Sequence, residues 1–294
     1  MTTNSSRVGS NTHVGRLVQR YYDETWLDYR VLWLNRRNLA LHFGYHDEET
    51  ASHADALVNT NRVLAARARV EAGSRVLDAG CGLGGSSFWL AQNRGAFVVG
   101  VALGHEQVAR AHRLAAAQQL SARARFLQAD FTSAPFCGAS FDIVWALESL
   151  CHAPDKAAFY REAARLLRPG GRLVVADFML TGQSLDDYHA QLLREWLDGW
   201  AIPDLGTVEE HRRHAENAGL LEPTVEDFTT RARPSLRRLY RIARYTYPLA
   251  WTARRLGMRS AVQHGNVIGA VRQYQTLRNG CWIYGVLGAT KSAK

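Results

Sequence analysis

Residues 75–87 read Arg-Val-Leu-Asp-Ala-Gly-Cys-Gly-Leu-Gly-Gly-Ser-Ser. Val76 and Leu77 begin a short buried strand. Gly80, Gly82, Gly84 and Gly85 then free the backbone to turn tightly and let a ligand come close. Ser86 and Ser87 lead into the apolar run Phe88-Trp89-Leu90, which starts a helix. The spacing is not the Gly-x-Gly-x-x-Gly of dinucleotide-binding turns. Asp78 sets the turn apart, because a carboxylate just ahead of the glycines disfavours a phosphate and suits a cationic ligand.

Outward from this turn, apolar runs and helical patterns alternate. Strands are expected near 75–79, 97–101, 124–128, 141–147 and 172–178, with helices near 84–94, 105–119 and 156–167. Such alternation describes a parallel sheet with helices on both faces. Gly170-Gly171, after Arg168-Pro169, marks a stop before the fifth strand. In these sheets ligands lie beyond the carboxyl ends of the strands, where the strand order reverses.

The stretch 75–87 resembles the first motif of class I S-adenosylmethionine (SAM) dependent methyltransferases. The resemblance implies a Rossmann-like α/β fold: a seven-stranded sheet with a helical N-terminal lid and cap insertions. It assigns the turn under the methionine part of SAM to Asp78, Gly80, Gly82 and Gly84. Many members hold the ribose with an acid where Ala102 stands here; the sterol and tocopherol branch lacks it. Leu103, Gly104 and Gln107 match that branch in part, so Gln107 is either a ribose contact or an ordinary first-turn helix residue. Asp130 resembles the acceptor for the adenine amine, with Phe131 beside the ring. Residues 146–154, with Leu147 at the strand end, resemble the Ala-Ile-Glu-Ala-Thr-Cys-His-Ala-Pro segment of sterol side-chain methyltransferases. Glu148 and His152 are thereby the catalytic candidates, against a plain reading as a loop acid and a core histidine. Leu41-His-Phe-Gly-Tyr45 resembles a segment beside the active site of the same branch.

The domain limits expected are a disordered tail at 1–12, a helical lid at 13–70 and a SAM-binding core at 71–180. A cap insertion follows at 181–206, then core again at 207–230, a basic aromatic cap at 231–279, and the last strand and tail at 280–294. Tyr21, Tyr22, Arg36, Tyr45, Trp196 and Trp200 are the substrate-binding candidates from the lid and first cap. For most of the lid aromatics, core packing is the competing reading.

The hydrophobic fraction of 47% suffices for a globular core, and no apolar run is long enough to span a bilayer. The polar start lacks a signal-peptide core, so a cytoplasmic location is expected. Cys81, Cys137, Cys151 and Cys281 show no Cys-x-x-Cys spacing, and neither a zinc site nor a disulfide framework is suggested. Thirteen Lys or Arg and no Asp or Glu follow Asp227. This basic end fits an anionic substrate, a membrane surface, nucleic acid, or simply an arginine-rich solvated face.

Methyl transfer to an alkene leaves a carbocation, which needs aromatic faces and a base. The caps are rich in Tyr and Trp, and Glu148 is placed as that base. The favoured expectation is therefore SAM-dependent C-methylation of an isoprenoid, with a prenyl diphosphate matched to the arginines. Mg2+ would accompany such a diphosphate, although Asp186-Asp187 is a slender basis for it. The alternatives are O- or N-methylation of a lipophilic metabolite, cyclopropane formation on lipids, RNA modification, and a SAM-binding protein that transfers no methyl. The partner expected is a small lipophilic substrate; nucleic acid is disfavoured, and peripheral membrane contact and homo-oligomerisation stay open.

Overall fold

A computed structural model describes residues 5–33 and 39–293, with backbone alone for 5–12 and Leu32. The chain order is α1 (Ser5–Leu32), α2 (His53–Arg67), β1 (Arg75–Ala79), α3 (Gly85–Arg94), β2 (Phe97–Ala102), α4 (His105–Ala117) and β3 (Ala124–Gln128). It continues through β4 (Phe141–Leu147), a 3-10 turn (Leu150–His152), α5 (Lys156–Leu166), β5 (Leu167–Leu180), α6 (Asp187–Gly199), α7 (Val208–Asn217) and β6 (Leu220–Asp227). The last elements are α8 (Thr229–Arg255), α9 (Ala261–Arg278) and β7 (Trp282–Lys291). Helix α1 begins inside the stretch read above as a tail.

The strands form one seven-stranded sheet in the order β3-β2-β1-β4-β5-β7-β6. Strands β1 to β5 pair in parallel, and β7 returns antiparallel between β5 and β6. The order reverses between β1 and β4, so their carboxyl ends frame the ligand crevice. Central strand β4 is buried on both faces: Ile143 and Trp145 pack one way, Val144 and Ala146 the other.

Strand β5 starts earlier than the glycine pair suggests. Phe141 pairs with Leu167, and the next partner, Ile143, pairs with Arg172. The Arg-Pro-Gly-Gly turn is thus absorbed into the strand as a bulge, with Gly170 at φ +74°.

The basic cap resolves into two long helices. Its arginines 231, 233, 237, 238, 241, 244, 254 and 255 are all exposed, while Ala232, Leu236, Ala243 and Ala250 are buried. Helix α9 starts in a capping box, Ser260 with Gln263. The two insertions meet through glycines: a Cβ at Gly199 of α6 would lie 2.4 Å from the carbonyl oxygen of Gly265 in α9. Asp186 accepts from the backbone N–H of His189 at 2.8 Å and so serves as the N-cap of α6.

Candidate active site

At the end of β1 the chain must pass under the loop that follows β4. A Cβ on Gly80 would meet Ser149 Cβ at 2.3 Å, and its φ is +90°. Ser149 fixes that approach by donating to the Ala79 carbonyl at 2.5 Å. Glu148 and the glycine turn are therefore brought to one place, the point selected by topology.

There a cavity of about 660 Å³ opens, lined by the turn, α1, residues 39–43, the β4 loop, and α8 and α9. Among the residues singled out above, Asp78, Gly80, Gly82, Gln107, Phe131, Leu147, Glu148, His152, Tyr21, Tyr22 and Trp200 line it. Gly84, Asp130, Tyr45 and Trp196 are not in its lining among the described residues, and Arg36 lies outside those residues. Trp196 is fully buried against Phe178 and Trp282. Tyr45 packs on Phe228 with ring centres 4.9 Å apart. Asp130 accepts from the Thr132 N–H and hydroxyl at 2.8 and 2.7 Å, next to the lining residue Phe131.

One end of the cavity fits SAM. Asp78 is 2% exposed, with Ser87 donating to it at 2.5 Å. Burial, only partly offset by Ser87, pushes its carboxyl up to about 6, so a cationic group beside it would stabilise the anion. Gly80, Gly82 and Asp78 would hold the amino-acid part, and Gln107 and Phe131 the nucleoside. When bound, SAM supplies an electrophilic methyl group on a positive sulfur. Gln19 of α1 donates to the Leu103 carbonyl, which roofs this end with the lid.

Glu148 sits at φ +51°, the left-handed region that a non-glycine residue enters only under constraint. Its Oε1 accepts from the Phe43 N–H at 2.7 Å and the Tyr284 hydroxyl at 2.6 Å. Burial raises its carboxyl to about 8 despite those two donors, and nearby Asp177 adds to the rise. Glu148 thus joins the 39–45 segment, β4 and β7. The sequence resemblance at residues 41–45 reaches the site through the Phe43 backbone rather than through Tyr45.

His152 is held at both ring nitrogens. Nδ1 lies 3.3 Å from the Ala201 carbonyl, which can only accept, so Nδ1 carries the proton. Burial lowers His152 to about 4, so the ring is neutral at physiological pH and Nε2 is an acceptor. The Tyr22 hydroxyl donates to Nε2 across 3.1 Å. Around the pair, Tyr21, Tyr29, Phe43 and Phe178 contribute aromatic faces to a largely apolar lining.

Sequence reading missed Asp28, Tyr29, Arg259, Gln263 and Asn266, which also line the cavity. Tyr29 follows Tyr22 by two helical turns, a spacing that places both on one face. No sequence signal marked Asn266. Arg259 is the lining residue from the basic cap that carries charge, and it forms a bidentate pair with Asp28 at 3.0 and 2.7 Å.

Residues 77–175 match the family model described as a methyltransferase domain. The 27-O-demethylrifamycin SV methyltransferase of Amycolatopsis mediterranei is 38% identical over 196 residues, covering 66% of this chain and 71% of that one. The 2-methyl-6-phytyl-1,4-hydroquinone methyltransferase of Synechocystis sp. is 37% identical over 168 residues, covering 55% of this chain and 52% of the relative. The crystal structure of the [4+2]-cyclase SpnF superposes with a TM-score of 0.76 at 25% identity, covering 94% of this chain and 96% of that one. The chain belongs to the SAM-dependent methyltransferases, with the class I Rossmann-like fold. Within that family it is similar to enzymes of the sterol and tocopherol branch and to methyltransferases named for oxygen acceptors.

Proposed function

We propose that this enzyme methylates a hydroxyl oxygen of a small lipophilic acceptor, with Tyr22 and His152 taking the proton. The observation that carries the reading is the hydrogen bond from the Tyr22 hydroxyl to the unprotonated Nε2 of His152 inside a largely apolar cavity. The acceptor oxygen would take the methyl released from the SAM sulfur, while its proton moves to the Tyr22 oxygen and the Tyr22 proton passes to Nε2. The imidazolium then returns its proton to water. The charged arginines of α8 are exposed, which favours an uncharged acceptor over a diphosphate. The relative's name, a 27-O-demethylrifamycin SV methyltransferase, points to the same bond type.

The test is His152→Gln, assayed with SAM and a panel of 27-O-demethylrifamycin SV, alkylhydroquinones, sterols and prenyl diphosphates. Turnover should fall roughly 100- to 10,000-fold while SAM affinity, read by calorimetry, stays unchanged. A variant as active as the parent would sink the assignment.

A second reading is C-methylation of an isoprenoid alkene with Glu148 as base. It is favoured by one observation: Oε1 of Glu148 is held by two donors in a cavity shared with Tyr22, Phe43 and Phe178, which suit a carbocation. Under this reading Glu148→Gln abolishes turnover and NMR finds the new methyl on carbon. Under the first, the variant keeps turnover and the methyl is on oxygen.

A further inference from the structure

A second polar chain enters the same cavity from α1 and α9, and its direction can be read link by link. Arg259 donates two hydrogen bonds to Asp28, which stays an acceptor. The Asn266 amide nitrogen donates to Asp28 at 3.3 Å, and this turns Asn266 Oδ1 towards Tyr21. The Tyr21 hydroxyl donates to that oxygen at 2.8 Å. A phenol has one proton, so across the 2.8 Å contact between the two hydroxyls Tyr29 must be the donor and Tyr21 the acceptor. The Tyr29 oxygen is left with lone pairs and no proton to offer, and Tyr29 lines the cavity. Trp200 braces the chain by donating to the Asn266 carbonyl at 3.2 Å.

Tyr22 has the same polarity, since its proton is directed to His152. The rings of Tyr22 and Tyr29 are stacked with centres 6.3 Å apart. The cavity therefore presents two neighbouring phenol oxygens that accept and do not donate. We infer that Tyr29 is a specificity residue that reads a second hydroxyl group, so the preferred acceptor is a lipophilic molecule carrying at least two hydroxyls. The inference rests on the hydroxyl-methylation reading for Tyr22, while the role of Tyr29 is tested separately. An ether or a bare hydrocarbon at that point leaves the lone pairs of the Tyr29 oxygen without a donor, although its own proton stays on Tyr21, and this is unfavourable.

The experiment measures binding, so that it does not depend on catalysis. The protein loaded with S-adenosylhomocysteine is titrated with 2-decylhydroquinone, its two monomethyl ethers, 2-decylphenol and 3-decylphenol. The hydroquinone should bind about five- to tenfold more tightly than either phenol. Tyr29→Phe should erase that ratio while shifting the phenols far less. Tyr21→Phe removes the acceptor for the Tyr29 proton, which then points into the cavity. This variant should shift the preference towards a monomethyl ether, an inversion that simple loss of packing does not produce. S-adenosylhomocysteine affinity reports that each variant is folded. Equal binding of hydroquinone and phenols by the parent, or an unchanged ratio in Tyr29→Phe, overturns the proposal. If His152→Gln proves fully active, the relay reading fails, and the Tyr29 ratio still stands or falls by its own measurement.

Discussion

Glu148 keeps its proton to about pH 8 in the folded protein, against 4.5 for the free side chain. Its contribution to stability is complete below the lower value and is lost as pH rises through the higher one. Below about pH 6.5 other groups obscure this. Asp78 and Asp177, both raised by burial to about 6, act in the same sense. His42, His53, His152 and His211, lowered by burial to about 4 from 6.5, act in the opposite sense, adding stability as pH rises. Between pH 6.5 and 8 Glu148 is left to dominate these groups. Calorimetry should find the melting temperature falling across that window, and the fall should be largely absent in Glu148→Gln, whose amide oxygen can still accept from Phe43 and Tyr284. An equal slope in both proteins would refute this. Glu148 and His152 were legible because each sits within a few residues of a strand end that topology turns into a crevice. Tyr29 and Asn266 were not, because their meaning comes from a hydrogen bond network between helices far apart in the chain.

At the scale of elements, the first turn is the most constrained. Gly80→Ala adds a Cβ that must displace Ser149 at a backbone angle few side chains adopt. We expect a loss of about 2–4 kcal/mol from the overlap and the strain together, measurable by urea denaturation. A loss under 1 kcal/mol would mean that the loop after β4 moves freely, contrary to its bond from Ser149 to Ala79. The core strands were legible because their apolar runs are short and bounded by glycines and turns. The start of β5 was not, since Gly170-Gly171 reads as a stop whether the turn precedes the strand or bulges within it. Trp196 and Trp200 both read as substrate-binding candidates, and one stripe of α6 and its C-cap carries both residues. Sequence spacing does not reveal which end of that stripe meets the cavity and which meets Trp282.

For the molecule as a whole, the lid is joined to the cap through α1 and α9. Asp28 pairs with Arg259, and Gln263 donates to the Glu24 carbonyl at 3.0 Å. The ion pair is largely shielded, with side chains 12% and 20% exposed. Asp28→Ala should cost about 1–3 kcal/mol and raise amide exchange over residues 13–33 while leaving β1 and β4 protected. Uniform exchange in parent and variant would show that the lid is held by apolar packing alone. The charge imbalance beyond residue 227 was plain in the sequence, yet its direction was not: the helical period of α8 puts its arginines on the outer face and its small apolar residues inside. Among the described residues no helix is long and apolar enough to cross a membrane.

The glycine contact between α6 and α9 bears on how such an enzyme could be re-engineered. Backbone meets backbone at Gly199 and Gly265, and Gly269 makes room for the Trp200 ring. Two segments separated in the gene thus form a single interchangeable part. A chimera that imports one cap from a relative inherits half of a matched seam, whereas exchanging residues 181–206 and 231–279 together preserves it. Recombination breakpoints that divide the pair should accordingly yield insoluble or inactive hybrids.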